Sequence, residues 1–472
     1  RTHRVQLQLR KKGSKIVFTN DGSAAQEGAM NATYSGWRGA IMVAVTELLC
    51  WDQYFAVGGA LRHIDFDPTP GTLNCADFPA SVSTAPIQSM EISLYPAYNV
   101  LSKMIYPDAE MRRDIMCIGG TSQWPATLFR GIDQWGERYG YLLIDPIGGA
   151  IGAFAHGDGI NTGGQSRTPI CQLPNIEHTE QNFPILFLYR KELADSGGAG
   201  RYRGGLSAES CFIPHNTESV TQDTLSSGNA TPTSTGMMGG YPSTTNAYTF
   251  IRDSDILERI EASRLIEDIT EVRGTPETLG LRQENFVQHP TDVYAVRWTG
   301  GGGFGDPLDR APEDIERDLE DFAITAFAAH TLYGAVVTPD GKIDGDATAA
   351  HREELRTARV RRNSRPARER SGTWLFDAGA CLHVKQDANG SFWACAKCAT
   401  ELGATSLNYK EACIREDLPV TKANPLIGDP ARFIDEVVSF RQFCCPGCGA
   451  QIDNEIAVER DPVLCDISVA AP

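Results

Sequence analysis

The sequence predicts a mixed α/β (α+β) body followed by a small zinc-ribbon-like C-terminal domain, and three observations carry that expectation. Period-two apolar runs of strand type alternate with longer, all-round apolar runs of helix type up to about residue 361. Glycine is concentrated in two blocks, DSGGAGRYRGGL at Asp195–Leu206 and TGGGGFGDPLDR at Thr299–Arg310. Eight of the thirteen cysteines fall between Cys381 and Cys465, which is a metal-site distribution and not a disulfide framework.

HRVQLQLR alternates, KKGSK breaks and KIVFTN resumes, which predicts a hairpin. NDGSAAQEGAMNATYSG is a polar loop reaching past Asn31, and GAIMVAVTELLCWDQYF predicts a buried helix ended by Gly58 and Gly59. ALRHIDFDP with PGTLNC reads as a strand and turn. ISLYPAYNVLSKMI reads as a second helix, with a kink at Pro96. IMCIGGTSQWPATLFRG and YGYLLIDPIGGAIGAFA predict short strands punctuated by glycine pairs. AHGDGINTGG and NIEHTEQNFP bring in His156, Asp158, Glu177, His178 and Glu180 before the first glycine block.

Thr221–Tyr248, rich in Ser, Thr, Gly and Asn, predicts a long surface loop, disordered or shaped by a partner. From Pro312 to His330, helical spacing puts Ile315, Leu319, Phe322, Ala323 and Phe327 on one face, with Asp309 placed as the cap. AHREELRTARVRR is a charged helix, and RRNSRPARERSG is basic without an apolar anchor. The predicted division is therefore a body at 1–361, a linker at 362–380 and a metal-binding domain at 381–472.

The four consecutive glycines Gly300–Gly303 leave two readings open. One is a tight turn packed under a helix; the other is an anion cradle at a helix N-terminus. A Walker-type phosphate loop is excluded, because no Gly-Lys-Ser/Thr closes the run. Net charge is −17, which works against nucleic acid and anionic membrane as partners. No apolar run approaches the ~20 residues of a membrane span, and no secretory signal opens the chain. Cysteine usage points to the reducing cytoplasm. The chain begins without Met inside a strand-like run, so a segment ahead of Arg1 is expected.

Cys395-Ala-Lys-Cys398 and Cys445-Pro-Gly-Cys448 are two CxxC pairs 46 residues apart. Two thiolates on each of two turns complete a tetrahedral, structural Zn²⁺ site, with Gly447 and Gly449 relieving strain around the second turn. The competing arrangements are Cys413 or Cys444 replacing one ligand, or thiols that are merely buried.

The two glycine blocks, with Tyr333–Val337 (YGAVV) in the same order, resemble the hydantoinase B family over roughly Arg1 to Arg361. That family supplies the large subunit of 5-oxoprolinases, hydantoinases and ATP-dependent ketone carboxylases. FWACAKCATELG, LNYKEACIREDL, FRQFCCPGCGAQIDNEIAV and DPVLCDIS resemble the small zinc-bearing subunit of acetone carboxylases, normally a separate polypeptide. Together they resemble the acetophenone carboxylase and acetone carboxylase group.

The resemblance implies that a ketone, activated as an enol phosphate at the expense of ATP, combines with bicarbonate-derived CO2 to give a 3-oxo acid. ATP and Mg²⁺ would lie on a hydantoinase A-like ATPase subunit, in a hetero-oligomer whose substrates are the ketone and bicarbonate. Manganese belongs to the acetone carboxylases of that group, held by His and Asp residues in an earlier part of their large subunit. That stretch is not in this chain, which gives no support for Mn²⁺: either the segment is absent from this sequence, or the enzyme works without that metal, and the second option favours an aromatic ketone. Arg201 and Arg203 are candidates to hold an anionic intermediate or bicarbonate by forked hydrogen bonds, or else to pin the loop by salt bridges. His156, Asp158, Glu177 and His178 are candidates for acid/base or metal chemistry, or else ordinary surface pairs. A cyclic-amide hydrolase subunit of the oxoprolinase or hydantoinase type is the alternative activity. A scaffold whose zinc module only docks partners is the third.

Overall fold

The computed structural model describes residues 2–53, 57–82, 86–115, 126–143, 148–165, 168–169, 174–226, 228–362 and 367–469. The expected hairpin is present as β1 (Gln8–Lys12) and β2 (Lys15–Thr19), with Gly13 at φ +60° in its two-residue turn. Next come α1 (Tyr34–Leu49), β3 (Ile64–Phe66), parallel to β2, and α2 (Pro86–Ile105). Phe18, Trp37, Ile41, Leu94, Tyr98 and Leu101 close a core between these helices and the small sheet. α1 stops at Leu49, not at the Gly58-Gly59 pair, because its apolar face runs out of partners: Trp51 is 71% exposed. α2 continues through Pro96.

The centre is built from β4 (Ala126–Ile132), β5 (Arg138–Leu143), the two-residue strands β6 (Gly164–Gln165) and β7 (Thr168–Pro169), and α3 (Ile176–Asn182). β8 (Ile185–Glu192), β9 (Ala208–Pro214), β10 (Val220–Leu225), β11 (Ala247–Arg252), α4 (Ile256–Glu261), β12 (Thr275–Glu277), β13 (Arg282–Gln288) and β14 (Val293–Arg297) complete it. Two antiparallel sheets result, in the orders β13-β10-β4-β5 and β12-β11-β14-β9-β8. Strand alternation sends Phe129, Phe187, Phe212, Phe250, Phe286 and Tyr294 into one core shared by both sheets. On the other face of the five-stranded sheet, Cys211, Ile213 and Val293 are covered by Ile256, Ile266 and Ile269. Parts of the predicted strand runs, residues 116–125 and 144–147, lie outside the described residues.

Four extended, glycine-rich segments, around residues 148–164, 196–206, 236–243 and 299–305, pack backbone against backbone beside this core. Gly198 N donates to Gly301 O at 2.8 Å, Gly301 N to Gly205 O at 3.0 Å, and Ala153 N to Gly302 O at 2.8 Å. Gly303 N donates to Tyr241 O at 2.9 Å, and Tyr241 N to Ala199 O at 2.7 Å. A Cβ on Gly204 would lie 1.9 Å from Gly301 O, and one on Gly301 would lie 2.2 Å from Ile151 O. The four-glycine run is thus packed backbone to backbone and not folded as a turn under a helix, and two of its four amides, those of Gly301 and Gly303, are spent on neighbouring carbonyls instead of facing an anion.

The same packing overturns the surface-loop expectation for Thr221–Tyr248. β10 and β11 occupy its ends, and Met237, Ser243, Thr244, Thr245 and Asn246 between them are at most 1% exposed. Small polar side chains at these positions serve close packing and not solvation.

The single helix expected from Pro312 to His330 is two, α5 (Pro312–Glu320) and α6 (Ala326–Thr331), and its proposed apolar face is broken. Phe322 sits at φ +56° and 82% exposed, while Ala323 N closes back on Asp318 O at 2.8 Å, a left-handed helix end. Asp195 of the first glycine block holds the break open, its carboxylate accepting from Thr325 N at 2.8 Å and Thr325 Oγ1 at 2.7 Å. Asp309 does not cap α5, whose N-cap is Ala311. Asp306 caps the preceding turn instead, accepting from Leu308 N at 3.0 Å.

α7 (Gly345–Arg361) follows, and then a strand-rich module: β15 (Thr373–Gly379), β16 (Leu382–Asp387), β17 (Gly390–Cys395), β18 (Glu401–Ala404), β19 (Ile414–Pro419), β20 (Val438–Cys444) and β21 (Gln451–Val458). It forms two antiparallel sheets, β15-β16-β17-β18 and β19-β20-β21. β15 occupies residues 373–379 of the stretch expected as linker, and Arg370 ahead of it is anchored to Asp387 at 2.7 Å and Glu401 at 2.8 Å. The unanchored stretch is therefore shorter than its composition suggested. Among the described residues no helix is long and apolar enough to cross a membrane.

Gly301→Ala is expected to cost about 3 kcal/mol in chemical denaturation, because rigid backbone, not a side-chain tip, must move. Gly39→Ala, on the open face of α1 with nothing within 4 Å, is expected to stabilise by up to about 1 kcal/mol.

Candidate metal centre

The two CxxC pairs sit on equivalent turns. β17 delivers Cys395, whose carbonyl accepts from Ala399 N at 2.9 Å and whose own N–H donates to Thr400 O at 2.9 Å. β20 delivers Cys445 in the same way, accepting from Gly449 N at 2.9 Å and donating to Ala450 O at 2.8 Å. The residue after the second cysteine is left-handed in both, Ala399 at φ +60° and Gly449 at φ +69°. Gly447 acts differently from expectation: it relieves no positive φ but gives room, since a Cβ there would lie 2.1 Å from Thr400 Oγ1 and 3.1 Å from Cys398 Sγ.

Cys395 Sγ lies 3.7 Å from Cys448 Sγ, and Cys398 Sγ lies 3.5 Å from Cys445 Sγ. All four sulfurs lie within 4.8 Å of one another. Zinc–thiolate bonds of ~2.3 Å in a tetrahedron require sulfur–sulfur edges of about 3.8 Å, so the donor set fits Zn²⁺ in both type and spacing. Cys413 and Cys444 stand outside this set. With four protein donors the shell is closed, which is the arrangement of a structural metal. Hydrogen bonding among the thiols pushes Cys445 up, through Cys395 and Cys448, and pulls Cys448 down, through Cys395 and Cys445. A cation here displaces the remaining protons, so its hold weakens in acid.

The centre is fastened to the body at the second glycine block. Lys397, inside the first CxxC, pairs with Asp309, which also takes Arg356 at 2.8 Å. Gly449 O accepts from Arg359 of α7 at 3.1 Å. Asp306, fully buried, caps its own turn with one oxygen and accepts from Gln451 N of β21 at 3.1 Å with the other.

The residues proposed for catalysis are not gathered at one point. Arg310, fully buried, grips Asp158 through two 2.7 Å bonds and stands 2.6 Å from Asp318, which also meets Arg203 at 3.3 Å. Arg203 N donates to Asp158 at 2.7 Å, and its guanidinium to Gly204 O at 2.7 Å. Burial raises the Asp158 carboxyl, but the Arg310 fork, with Arg203 beside it, outweighs this and holds it below the usual carboxylate range. Arg203 is thus ion-paired to Asp318 and hydrogen-bonded within the glycine-rich segments. Arg201 is exposed, its guanidinium 5.4 Å from the Tyr202 ring centre. His156 is exposed beside Phe154, and Glu177 and His178 are exposed on α3, where His178 keeps company with Asn182. Among the described residues the Cys395/Cys398/Cys445/Cys448 set is the one metal-ligating cluster; His156, Asp158, Glu177 and His178 do not form another.

Sequence reasoning missed Asp306, Arg310 and Asp318. The first two lie within the quoted TGGGGFGDPLDR, and a charged residue abutting a side-chain-free segment was the signal available.

Metal analysis of the intact chain is expected to return about one zinc, lost in Cys448→Ser together with thermal stability of the module. Asp158→Asn is expected to cost about 3–5 kcal/mol by orphaning part of Arg310. Because the Asp158 pKa is lowered on folding, its contribution is complete above pH ~4 and lost as pH falls further, so the variant's acid-unfolding limb becomes flatter.

Residues 1–307 match the hydantoinase B/oxoprolinase family, and residues 372–471 match the acetone carboxylase gamma subunit. The acetone carboxylase alpha subunit of Xanthobacter autotrophicus is 28% identical over 49% of this chain and 32% of its own length. The acetophenone carboxylase delta subunit of Aromatoleum aromaticum is 25% identical over 66% of this chain and 46% of its own. That organism's acetophenone carboxylase beta subunit is 34% identical to 18% of the chain, covering 70% of the shorter protein. The nucleotide-free structure of acetone carboxylase superposes with a TM-score of 0.65 at 23% identity, over 77% of this chain and 49% of that one. The ATP-dependent caprolactamase of Pseudomonas jessenii gives 0.60 at 19%, over 74% and 56%. The chain spans less than half the length of the alpha and delta relatives that its body matches. Through its body the chain belongs to the hydantoinase B/oxoprolinase family, and it carries an acetone carboxylase gamma-type region in the same polypeptide.

Proposed function

We propose that this chain is a subunit of an ATP-dependent ketone carboxylase of the acetophenone carboxylase type, a ligase forming a C–C bond. The single observation behind this reading is the pairing of a hydantoinase B-type body with a gamma-type module, fastened at Asp306 and Asp309. A ketone, activated as its enol phosphate on a hydantoinase A-like partner that holds ATP and Mg²⁺, is carboxylated with bicarbonate-derived CO2 to a 3-oxo acid. The domains are the body to residue 361, a short basic linker and the module. The reducing compartment its thiols need is the cytoplasm.

Zinc at Cys395, Cys398, Cys445 and Cys448 holds the module's two sheets in register and takes no part in the reaction. Arg201 is the candidate ligand for an anionic intermediate or bicarbonate, since it makes no ion pair among the described residues. His156, Glu177 and His178, all exposed, are the candidates for proton transfer.

The second reading, an ATP-dependent cyclic-amide hydrolase subunit, rests on the likeness of the body to caprolactamase; the beta subunit of that enzyme is 28% identical over 38% of this chain. The two separate on assay of the purified assembly. Labelled bicarbonate entering a 3-oxo acid in the presence of ATP and acetophenone supports the first; lactam-dependent ATP hydrolysis without bicarbonate supports the second. Arg201→Ala is expected to lower carboxylation at least ten-fold with unchanged unfolding, whereas Arg203→Ala is expected to lower stability first.

A further inference from the structure

Among the described residues β1 is an edge strand: it pairs with β2 on one side and with no strand on the other. The hairpin closes with Lys12 opposite Lys15 across a two-residue turn, so Lys12 and Arg10 turn their backbone groups toward β2, and Leu9 and Lys11 turn theirs away. Among the described residues no other backbone group accepts from the amides of Leu9 or Lys11.

Beyond this edge lies a cleft of about 730 Å³. Residues 5–10 and residues 464–469, two runs of six consecutive residues each, line it together with Pro96, Asn99, Lys103 and Met104 of α2. Residues 464–469 belong to no strand. Their position is fixed from below: Asp466 pairs with Lys103 and with the buried Lys410, which also holds Asp453 at 2.9 Å and Glu455 at 3.0 Å. Asn99 Oδ1, on the α2 side, is buried and has no partner among the described residues.

Arg10 lines the cleft, and Lys11 and Lys12 follow it on β1 just beyond the lining residues. Arg10, Lys11 and Lys12 are exposed, and none makes an ion pair among the described residues, in a chain whose net charge is −17.

We infer that this cleft receives an extended, acidic segment of a companion subunit, which adds to the free edge of β1 as a further strand. Backbone hydrogen bonds to Leu9 and Lys11 supply the pairing, the apolar wall takes alternate side chains, and Arg10, Lys11 and Lys12 select for carboxylates. The inference rests on the hetero-oligomeric part of the proposed function.

The test uses the whole chain co-expressed with its companion subunits. A photo-crosslinking p-benzoylphenylalanine at Gln8 is expected to capture one acidic companion segment, mapped by mass spectrometry. Charge reversal of Arg10, Lys11 and Lys12 to Glu is expected to weaken assembly at least ten-fold and to flatten its salt dependence. Leu9→Pro, which deletes an outward amide, is expected to weaken it with β2 still folded by hydrogen exchange. Absence of a captured companion peptide, capture of a non-acidic one, occupancy of the cleft by a small molecule, or an unchanged dissociation constant for the charge-reversed chain would overturn the inference. Capture at Gln8 without carboxylation sinks the proposed function alone, and carboxylation without capture sinks this inference alone.

Discussion

The constraint on which the rest depends is the approach of backbone to backbone in the four glycine-rich segments. At the distance between Gly204 and Gly301 no side chain fits, so the segments exchange amide bonds as a sheet does, in a denser arrangement. Such a bundle has no side chains with which to hold its own ends. Charged residues at its exits do so instead: Asp195 clasps Thr325, Arg203 and Arg310 share Asp158 and Asp318, and Asp306 reaches Gln451. Arg203, Arg310 and Asp318 are buried and ion-paired, and the buried Asp195 and Asp306 are hydrogen-bonded, which are the conditions under which burial of charge is tolerated.

The same chemistry explains how a distant module is positioned. A metal centre organises only the turns that ligate it, and coordination by four thiolates says nothing about the body. Orientation comes from Asp306 and Asp309, one a buried cap with a spare oxygen, the other a carboxylate shared by Lys397 and Arg356. Glycine block, salt bridges and thiol turns therefore form a continuous path of contacts from body to module.

Much of this was legible in the sequence where a pattern is local. The hairpin at Lys12–Lys15, the helices around Trp37 and Tyr98, and the thiol set Cys395, Cys398, Cys445 and Cys448 follow from period, turn residues and ligand spacing. The misses share one cause, a non-local partner overriding a local preference. The stretch from Pro312 to His330 has helical spacing, but Asp195, more than a hundred residues away, holds it broken. Thr221–Tyr248 has the composition of an exposed loop because small side chains suit solvent and backbone contact equally; only the neighbouring glycine segments decide which. Arg310 and Asp158 were unreadable as a pair, since nothing in either neighbourhood encodes the other.

The beta subunit of acetophenone carboxylase, which this module resembles, is a polypeptide of its own, whereas here about ten residues join the module to α7. A tether that short keeps the docked partner at an effective concentration on the order of millimolar, whatever the abundance of the protein. Contacts such as Arg359 to Gly449 O then need only be selective, because they no longer have to recruit. Covalent continuity also enforces one module per body, so an assembly built from this chain has that ratio written into its gene.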